Sequence, residues 1–220
     1  MRHFVERLFL GRKSQPSFHK QMSKTIWFFR HAQSLANADK NFRADDFSIP
    51  SVSLSPEGYK QAEKLINSFS VAPELIITSS YIRTKQTAAP LLKKYKNVPR
   101  EEWQTQEFTY LSLERCFDTT MLDRRPWVEE YWQKSDPLRS DGDGAESFVD
   151  FIGRVKDIIE NLKNRKERFI VLFSHEYFIA AVKYLLEKNP KDITPKEMRE
   201  FREYFLSNRI PNATKVEFIF

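Results

Sequence analysis

The chain has 220 residues, 40% hydrophobic and 14% aromatic, enough for one domain with a sizeable core, and it lacks the run of about 18 uncharged apolar residues that a membrane-spanning helix needs. Its net charge of +6 is concentrated at one end: residues 1–24 carry six Lys and Arg against Glu6 alone, a net +5 that leaves +1 for residues 25–220. A basic stripe for specific nucleic-acid binding is therefore not expected on the folded part, and the lone Cys116 excludes an internal disulfide or a cysteine-built metal site, which fits a reducing, cytoplasmic setting.

The leader "MRHFVERLFLGRKSQPSFHKQMSK" places Met1, Phe4, Val5, Leu8 and Phe9 at helical spacing before Gly11. A mobile extension, a docked short helix and an amphipathic or targeting segment all fit this basic stretch, and any attraction to anionic surfaces belongs here. Met22 offers an alternative start just before "TIWFF". Residues 25–29 are β-branched and aromatic, a buried strand that stops abruptly on Arg30 and His31. Residues 56–69 read as a helix with Pro56 in its first turn and Ala62, Leu65, Ile66 and Phe69 on one face. A second strand, "ELIITSS" (74–80), leads into a helix over 81–95 that Pro90 should kink or interrupt.

Residues 108–144 break the alternation. They mix aromatic and charged residues and end in "SDGDG", which reads as a cap-like insertion over the sheet. A long helix over about 145–164 aligns Phe148, Ile152, Val155, Ile159 and Leu162. The strand "RFIVLFSH" (168–175) is followed by a helix with Ile179, Val182 and Leu186 inward, and residues 195–207 supply one more. "ATKVEFIF" (213–220) alternates and so suits a strand nearer an edge. Strands alternating with helices predict a three-layer α/β/α sandwich with a mostly parallel central sheet over residues 25–220.

In such sheets ligands gather where strands end and helices begin. Two of the three clearest strands end there on histidine, in "FFRHA" and "LFSHE", and the other two histidines of the chain lie in the leader. The third strand ends in "TSS", with Arg83 in the first turn of the next helix. If these strands are neighbours, two imidazoles and two guanidiniums share one region. Forked guanidinium donors and helix N-termini match phosphate oxygens, and a neutral imidazole is a competent nucleophile near pH 7.

At this point the chain resembles the histidine phosphatase superfamily, which includes the cofactor-dependent phosphoglycerate mutases. "RHAQSLAN" is similar to its RHG signature, "LSPEGYKQA" (54–62) to its L-T-x-x-G-x-x-Q-A stretch, and "SSYIRTKQTA" (79–88) to its arginine helix. "GAESFVDFIGRV" (144–155) resembles the later G-E-S helix, and "VLFSHEYFI" (171–179) the second histidine. The five motifs keep the family's order over residues 25–220. The resemblance implies that His31 is a nucleophile that becomes phosphorylated, that Arg30, Arg83 and His175 hold the phosphoryl oxygens, and that Asn37 closes the first motif. Ser34 falls where the family often has a hydroxyl. Glu107 falls where it has the acid, with Glu114 and Asp118 as nearby competitors.

The resemblance further implies a phosphomonoester hydrolase that needs no metal or other cofactor and acts on a small phosphorylated metabolite or a phosphoprotein. The chain has neither a carboxylate–histidine metal cluster nor a GxxxxGK loop. A mutase is the nearest rival, with Arg115, Arg124 and Arg125 available for a second acidic group; an idle phosphate-binding or scaffolding module is another. Two residues depart from the pattern: Ala32 stands in place of glycine, and Glu176 follows the second histidine. The insertion's Tyr110, Phe117, Trp127, Tyr131 and Trp132, interleaved with Arg124, Arg125 and Arg139, suit either a leaving-group cap or packing onto the sheet.

Overall fold

The computed structural model describes residues 23–43 and 51–220. One sheet contains β1 (Thr25–Arg30), β2 (Leu75–Thr78), β3 (Arg100–Glu102), β4 (Phe169–Ser174) and β5 (Lys215–Ile219), in the order β3-β2-β4-β1-β5. Every pairing is parallel except β1 with β5. The inner strands are continuously apolar because helices cover both of their faces. Ile26, Phe28, Leu75, Ile77, Ile170 and Leu172 enter one buried layer, while Phe29, Ile76, Val171 and Phe173 enter the other.

The helices are α1 (Leu35–Ala38), α2 (Pro56–Leu65), α3 (Ile82–Lys94), α4 (Leu113–Cys116), α5 (Met121–Lys134), α6 (Phe148–Asn164), α7 (Glu176–Lys188) and α8 (Pro195–Ser207). On one side, Ala88 and Leu91 of α3, with Phe69 after α2, pack on the sheet. On the other side lie α6, α7 and α8. α6 buries Phe148, Phe151, Ile152, Val155, Ile158, Ile159 and Leu162, a stripe of three- and four-residue steps. The expected three-layer sandwich is the fold.

Several details differ from the sequence expectation. β3 was not foreseen, because "REE" carries no apolar signal; it is a short charged edge of the kind that discourages further pairing. α2 ends at Leu65 and tightens into a 3-10 turn over Ile66–Ser68, which brings Phe69 inward. Pro90 does not interrupt α3, which continues to Lys94 while Ala88 and Leu91 on either side pack against the sheet. Leu186 is exposed, not inward, because the buried stripe of α7 runs through Phe178, Ile179, Val182 and Leu185.

Lys24, grouped with the leader by its charge, is tied into the folded body. Its Nζ donates to the carbonyls of Leu162, Lys163 and Arg165 at 2.7, 2.8 and 2.5 Å, a cation closing the C-terminal end of α6. The rest of the leader up to Met22 lies outside the described residues. The 108–144 segment has no core of its own: Phe108, Tyr131 and Trp132 join the layer of α6, α7 and α8. Among the described residues, no helix is long and apolar enough to cross a membrane.

Candidate active site

The strand order makes β1, β4 and β2 neighbours, so their C-terminal ends lie side by side. Register pairs Arg30 with Ser174, and the His31 N–H donates to the Ser174 carbonyl at 2.9 Å. His31 and His175 therefore meet, with ring centroids 5.1 Å apart. Arg83 reaches both from the first turn of α3. Its Nε donates to His31 Nε2 at 3.3 Å, and its NH2 group lies 3.2 Å from His175 Nδ1.

These contacts assign the tautomers. His31 Nδ1 lies 2.7 Å from the Ala32 carbonyl, which can only accept, so Nδ1 carries the proton and Nε2 keeps its lone pair. In His175 the arginine donor faces Nδ1, so Nε2–H donates to Ser79 Oγ at 2.8 Å. Burial first, and then the Arg83 charge, hold both imidazoles well below the usual 6.5, hence neutral near pH 7. Burial lowers Arg83 itself to about 10, which leaves it charged.

The motif residues around His31 fix its backbone. The Ala32 N–H donates to Thr87 Oγ1 at 3.0 Å, and the Gln33 N–H to Gln61 Oε1 at 2.9 Å. The Ser55 N–H donates to the Gln33 carbonyl at 2.9 Å. Gly58 passes so near that a Cβ there would sit 2.0 Å from the same carbonyl oxygen, so no larger residue fits without movement. Ala32 is not among the positive-φ residues, and its methyl packs with Leu54 and Ala62, so alanine is unstrained where the family signature has glycine.

Ser34 caps α1: its Oγ accepts from the Asn37 N–H at 3.2 Å and donates to Asn37 Oδ1 at 3.0 Å. Asn212 joins them, its Nδ2 lying 3.0 Å from the His31 carbonyl and 3.1 Å from Asn37 Oδ1. Behind His175, Ser79 lies 2.9 Å from Thr84 Oγ1, whose proton goes to the Tyr81 carbonyl. The Tyr81 ring sits 5.0 Å from the His175 ring and 4.5 Å from the Arg83 guanidinium.

Glu107 arrives from across the strand ends. Trp103 N–H donates to the Thr78 carbonyl at 2.9 Å, and Ser174 Oγ to the Thr105 carbonyl at 2.6 Å. Arg154 braces this crossing: it grips Glu146 through two bonds of 2.7 and 2.8 Å and donates to the carbonyls of Gln104 and Gln106. Glu107 Oε1 accepts from the N–H groups of Phe108 and Tyr177 at 3.1 and 2.9 Å. Burial raises its pKa above the usual 4.5, outweighing the opposing pull of Arg30 and Arg83. Asp118 is exposed and paired with Arg43, and neither it nor Glu114 lines the hollow that Glu107 shares with His31.

Glu176 turns to two arginines. Its carboxylate lies 2.9 Å from Arg30 NH1, accepts from Arg209 at 2.7 and 3.0 Å, and accepts from the Ile210 N–H at 3.1 Å. Arg30 NH1 also donates to the Ile210 carbonyl, whereas its buried Nε has no partner among the described residues.

A hollow of about 210 Å³ is lined by Arg30, His31, Ser34, Asn37, Arg83 and Glu107, joined by Arg124 from α5. His175 stands beside it with both ring nitrogens engaged, so in this state it orients Arg83 instead of opening onto the space. A roomier hollow of about 740 Å³ between Glu102 and α6 holds none of these groups. The arrangement offers forked cationic donors, a neutral imidazole with a directed lone pair, and a carboxyl shifted towards its acid form, a set suited to a phosphate dianion. Sequence reasoning missed Ser79, Tyr81, Thr84, Arg154 and Asn212. The one available signal was the run of hydroxyls in "TSSYIRTKQT", polar side chains at helix positions that face the sheet.

Residues 26–201 match the histidine phosphatase superfamily (branch 1). A probable fructose-2,6-bisphosphatase of Schizosaccharomyces pombe is 28% identical over 162 residues, which is 67% of this chain and 35% of that protein, so the chain spans about a third of that relative's length. Among solved structures, a mycobacterial hydrolase superimposes with a TM-score of 0.67 at 19% identity, over 90% of this chain and 92% of that one. A mycobacterial glucosyl-3-phosphoglycerate phosphatase does so with 0.64 at 20% identity, over 89% and 90%. With that match across most of its length, the chain belongs to the histidine phosphatase superfamily.

Proposed function

We propose that the protein hydrolyses a phosphomonoester of a small metabolite through a phosphohistidine at His31. One observation carries this reading: His31 keeps an unprotonated Nε2, which accepts from Arg83 until a phosphoryl group takes up that arginine, in the same hollow as Glu107, whose carboxyl is shifted towards its acid form. In the first step, Nε2 forms a bond to phosphorus as the ester P–O bond breaks, and the Glu107 proton passes to the leaving oxygen. In the second, the Glu107 carboxylate takes a proton from water, the water oxygen bonds to phosphorus, and the P–N pair returns to Nε2. Inorganic phosphate leaves and Glu107 is an acid again.

Positive charge for the transferring group comes from Arg30, Arg83 and Arg124, so neither step calls on a metal ion. The buried Arg30 Nε, which has no partner among the described residues, would gain one in an equatorial oxygen. Ser34 and Asn37 border the same space, and His175 orients Arg83. Residues 25–220 act as the catalytic unit, with 108–144 as a cap that supplies Arg124. The relatives are named a bisphosphatase and a phosphatase, which supports hydrolysis over a mutase reaction.

Brief exposure to an aryl phosphate followed by rapid quenching tests the reading. An acid-labile, base-stable phosphoryl label is expected on the protein and absent from His31→Ala. A label that survives this substitution would overturn the assignment.

A further inference from the structure

In an in-line displacement the leaving oxygen departs opposite the nucleophile, and the general acid must lie within hydrogen-bond reach of it. Glu107 therefore marks the exit side of the hollow. Two hollows adjoin Glu107 and Arg124 there: one of about 200 Å³ that also touches Arg83, and a second, roomier one of about 510 Å³. α5 and α8 form its walls, and Tyr177 at the start of α7 joins them.

Its walls are apolar where the chain has no packing reason to be. Met121, Leu122 and Leu206 line it and are 49, 57 and 52% exposed. Tyr177 is held rigidly, its ring stacked 3.9 Å from Phe205 and parallel to Trp132 at 6.0 Å. A sugar or glycerol moiety would leave these walls wet.

The rim is cationic. Arg209 is matched by Glu176, and Arg125 by Glu129. Lys40, Arg124 and Arg202 have no carboxylate partner among the described residues: Lys40 is exposed, Arg124 donates to Thr119, and Arg202 is fixed by donating to the Tyr177 hydroxyl at 2.6 Å and lying over the Trp132 ring at 4.9 Å. Each guanidinium has five donors, so each retains capacity for an anion. Arg124 also borders the His31 hollow, which places it by the transferring group, whereas Arg202 borders only the second hollow.

We propose that the substrate's leaving group is an alcohol with an apolar body of at least ring size, seated between α5 and α8, and a second negative charge held by Arg202. The proposal rests on the phosphohydrolase reading above, because that reading assigns the exit side to Glu107.

Three substrates with the same chemistry at phosphorus isolate the claim: propyl phosphate, 3-phenylpropyl phosphate and 3-(4-carboxyphenyl)propyl phosphate. The matching phosphonates, which cannot be hydrolysed at the P–C bond, give dissociation constants by calorimetry without turnover. The phenyl ring should improve kcat/KM and phosphonate affinity about tenfold, and the carboxylate about tenfold again. Arg202→Gln should remove the carboxylate gain while keeping the ring gain. Paired Leu122→Asn and Leu206→Asn changes at exposed positions should reduce the ring gain. If Arg202 served only to hold Tyr177, its loss would lower all three substrates alike, and that result would overturn the assignment. Ratios within twofold across the phosphonates would also overturn it, even with propyl phosphate turned over normally. The expected phosphonate ordering without any turnover would support the cleft and count against the hydrolase reading instead.

Discussion

Glu107→Gln separates the role of a proton from that of a shape. Glu107 Oε1 accepts from the Phe108 and Tyr177 N–H groups; a glutamine carbonyl can accept both, while its amide takes the place of the second oxygen. Binding should therefore change little, but no proton can be delivered. General acid–base catalysis contributes about 10²–10⁴-fold, which is about 2.7–5.4 kcal/mol of barrier. An alkyl phosphate, whose alkoxide leaves poorly, should lose that factor in kcat with KM nearly constant. With p-nitrophenyl phosphate the leaving group needs no proton, so phosphorylation of His31 should persist. Hydrolysis of the phosphohistidine would then limit turnover, and stopped-flow mixing should show a burst of nitrophenolate near one equivalent. Equal losses on both substrates, without a burst, would show that Glu107 supports the structure and is not the acid. The same signature in Glu114→Gln or Asp118→Asn, with none in Glu107→Gln, would relocate the acid to the cap.

Gly58→Ala should cost about 2–3 kcal/mol in a urea melt, because the new Cβ must displace the Gln33 carbonyl beside His31; an unchanged midpoint would refute that contact. Glu176→Gln should lower stability by about 2–3 kcal/mol, less than a fully buried pair because the exposed Arg209 rehydrates. It should also weaken competitive inhibition by inorganic phosphate as Arg30 loses its anchor, and tighter inhibition would contradict that role. The pH profile of kcat/KM for an alkyl phosphate, which reports the free enzyme, should be a bell. Its acid limb, from His31, should lie below 6.5, and its alkaline limb, from Glu107, above the ordinary carboxyl value of 4.5. Because His31 and His175 bind protons less well folded than unfolded, their contribution to stability is complete above pH 6.5 and falls as pH drops below it. Thermal melts that are flat from pH 7 to 5 would contradict this.

The sequence was most readable where burial on both faces forced a continuous apolar run, as in "TIWFF" and "FIVLF", and where those runs ended on histidine. Neither cue exists for β3, whose "REE" is written by its edge position, nor for Leu186, which lies one residue past the buried stripe of α7. Glu107 was legible only through family resemblance. Its position depends on a crossing segment held by Arg154 and by the N-terminus of α7, and no local periodicity encodes such bonds. Asn212 lies 181 positions from the His31 carbonyl that it contacts. The inner polar row of Ser79, Thr84 and Thr87 was visible as residue types, but its purpose appears only once α3 is seen to lie across the ends of β1 and β4.

The charges of the site resolve two demands that appear to conflict. The proposed mechanism needs His31 unprotonated while Glu107, in the same hollow, holds a proton. Burial serves both, since it disfavours imidazolium and carboxylate alike. The arginines serve only one: Arg83 and Arg30 depress His31 as needed, but they also pull Glu107 towards ionisation. A phosphate dianion between them changes that balance. It would offset the guanidinium charge, weakening the pull on Glu107 and driving the carboxyl further towards its acid form when a proton must be given. The same anion raises His31, yet the bond from Nδ1 to the Ala32 carbonyl already holds the one proton that the nucleophilic tautomer requires. In the proposed mechanism, once the phosphoryl group has moved to Nε2 and the alcohol has left, Glu107 is ionised and ready to accept a proton from water. On that mechanism substrate charge sets the acid before the first step, and its departure as phosphate returns the site to the state described here.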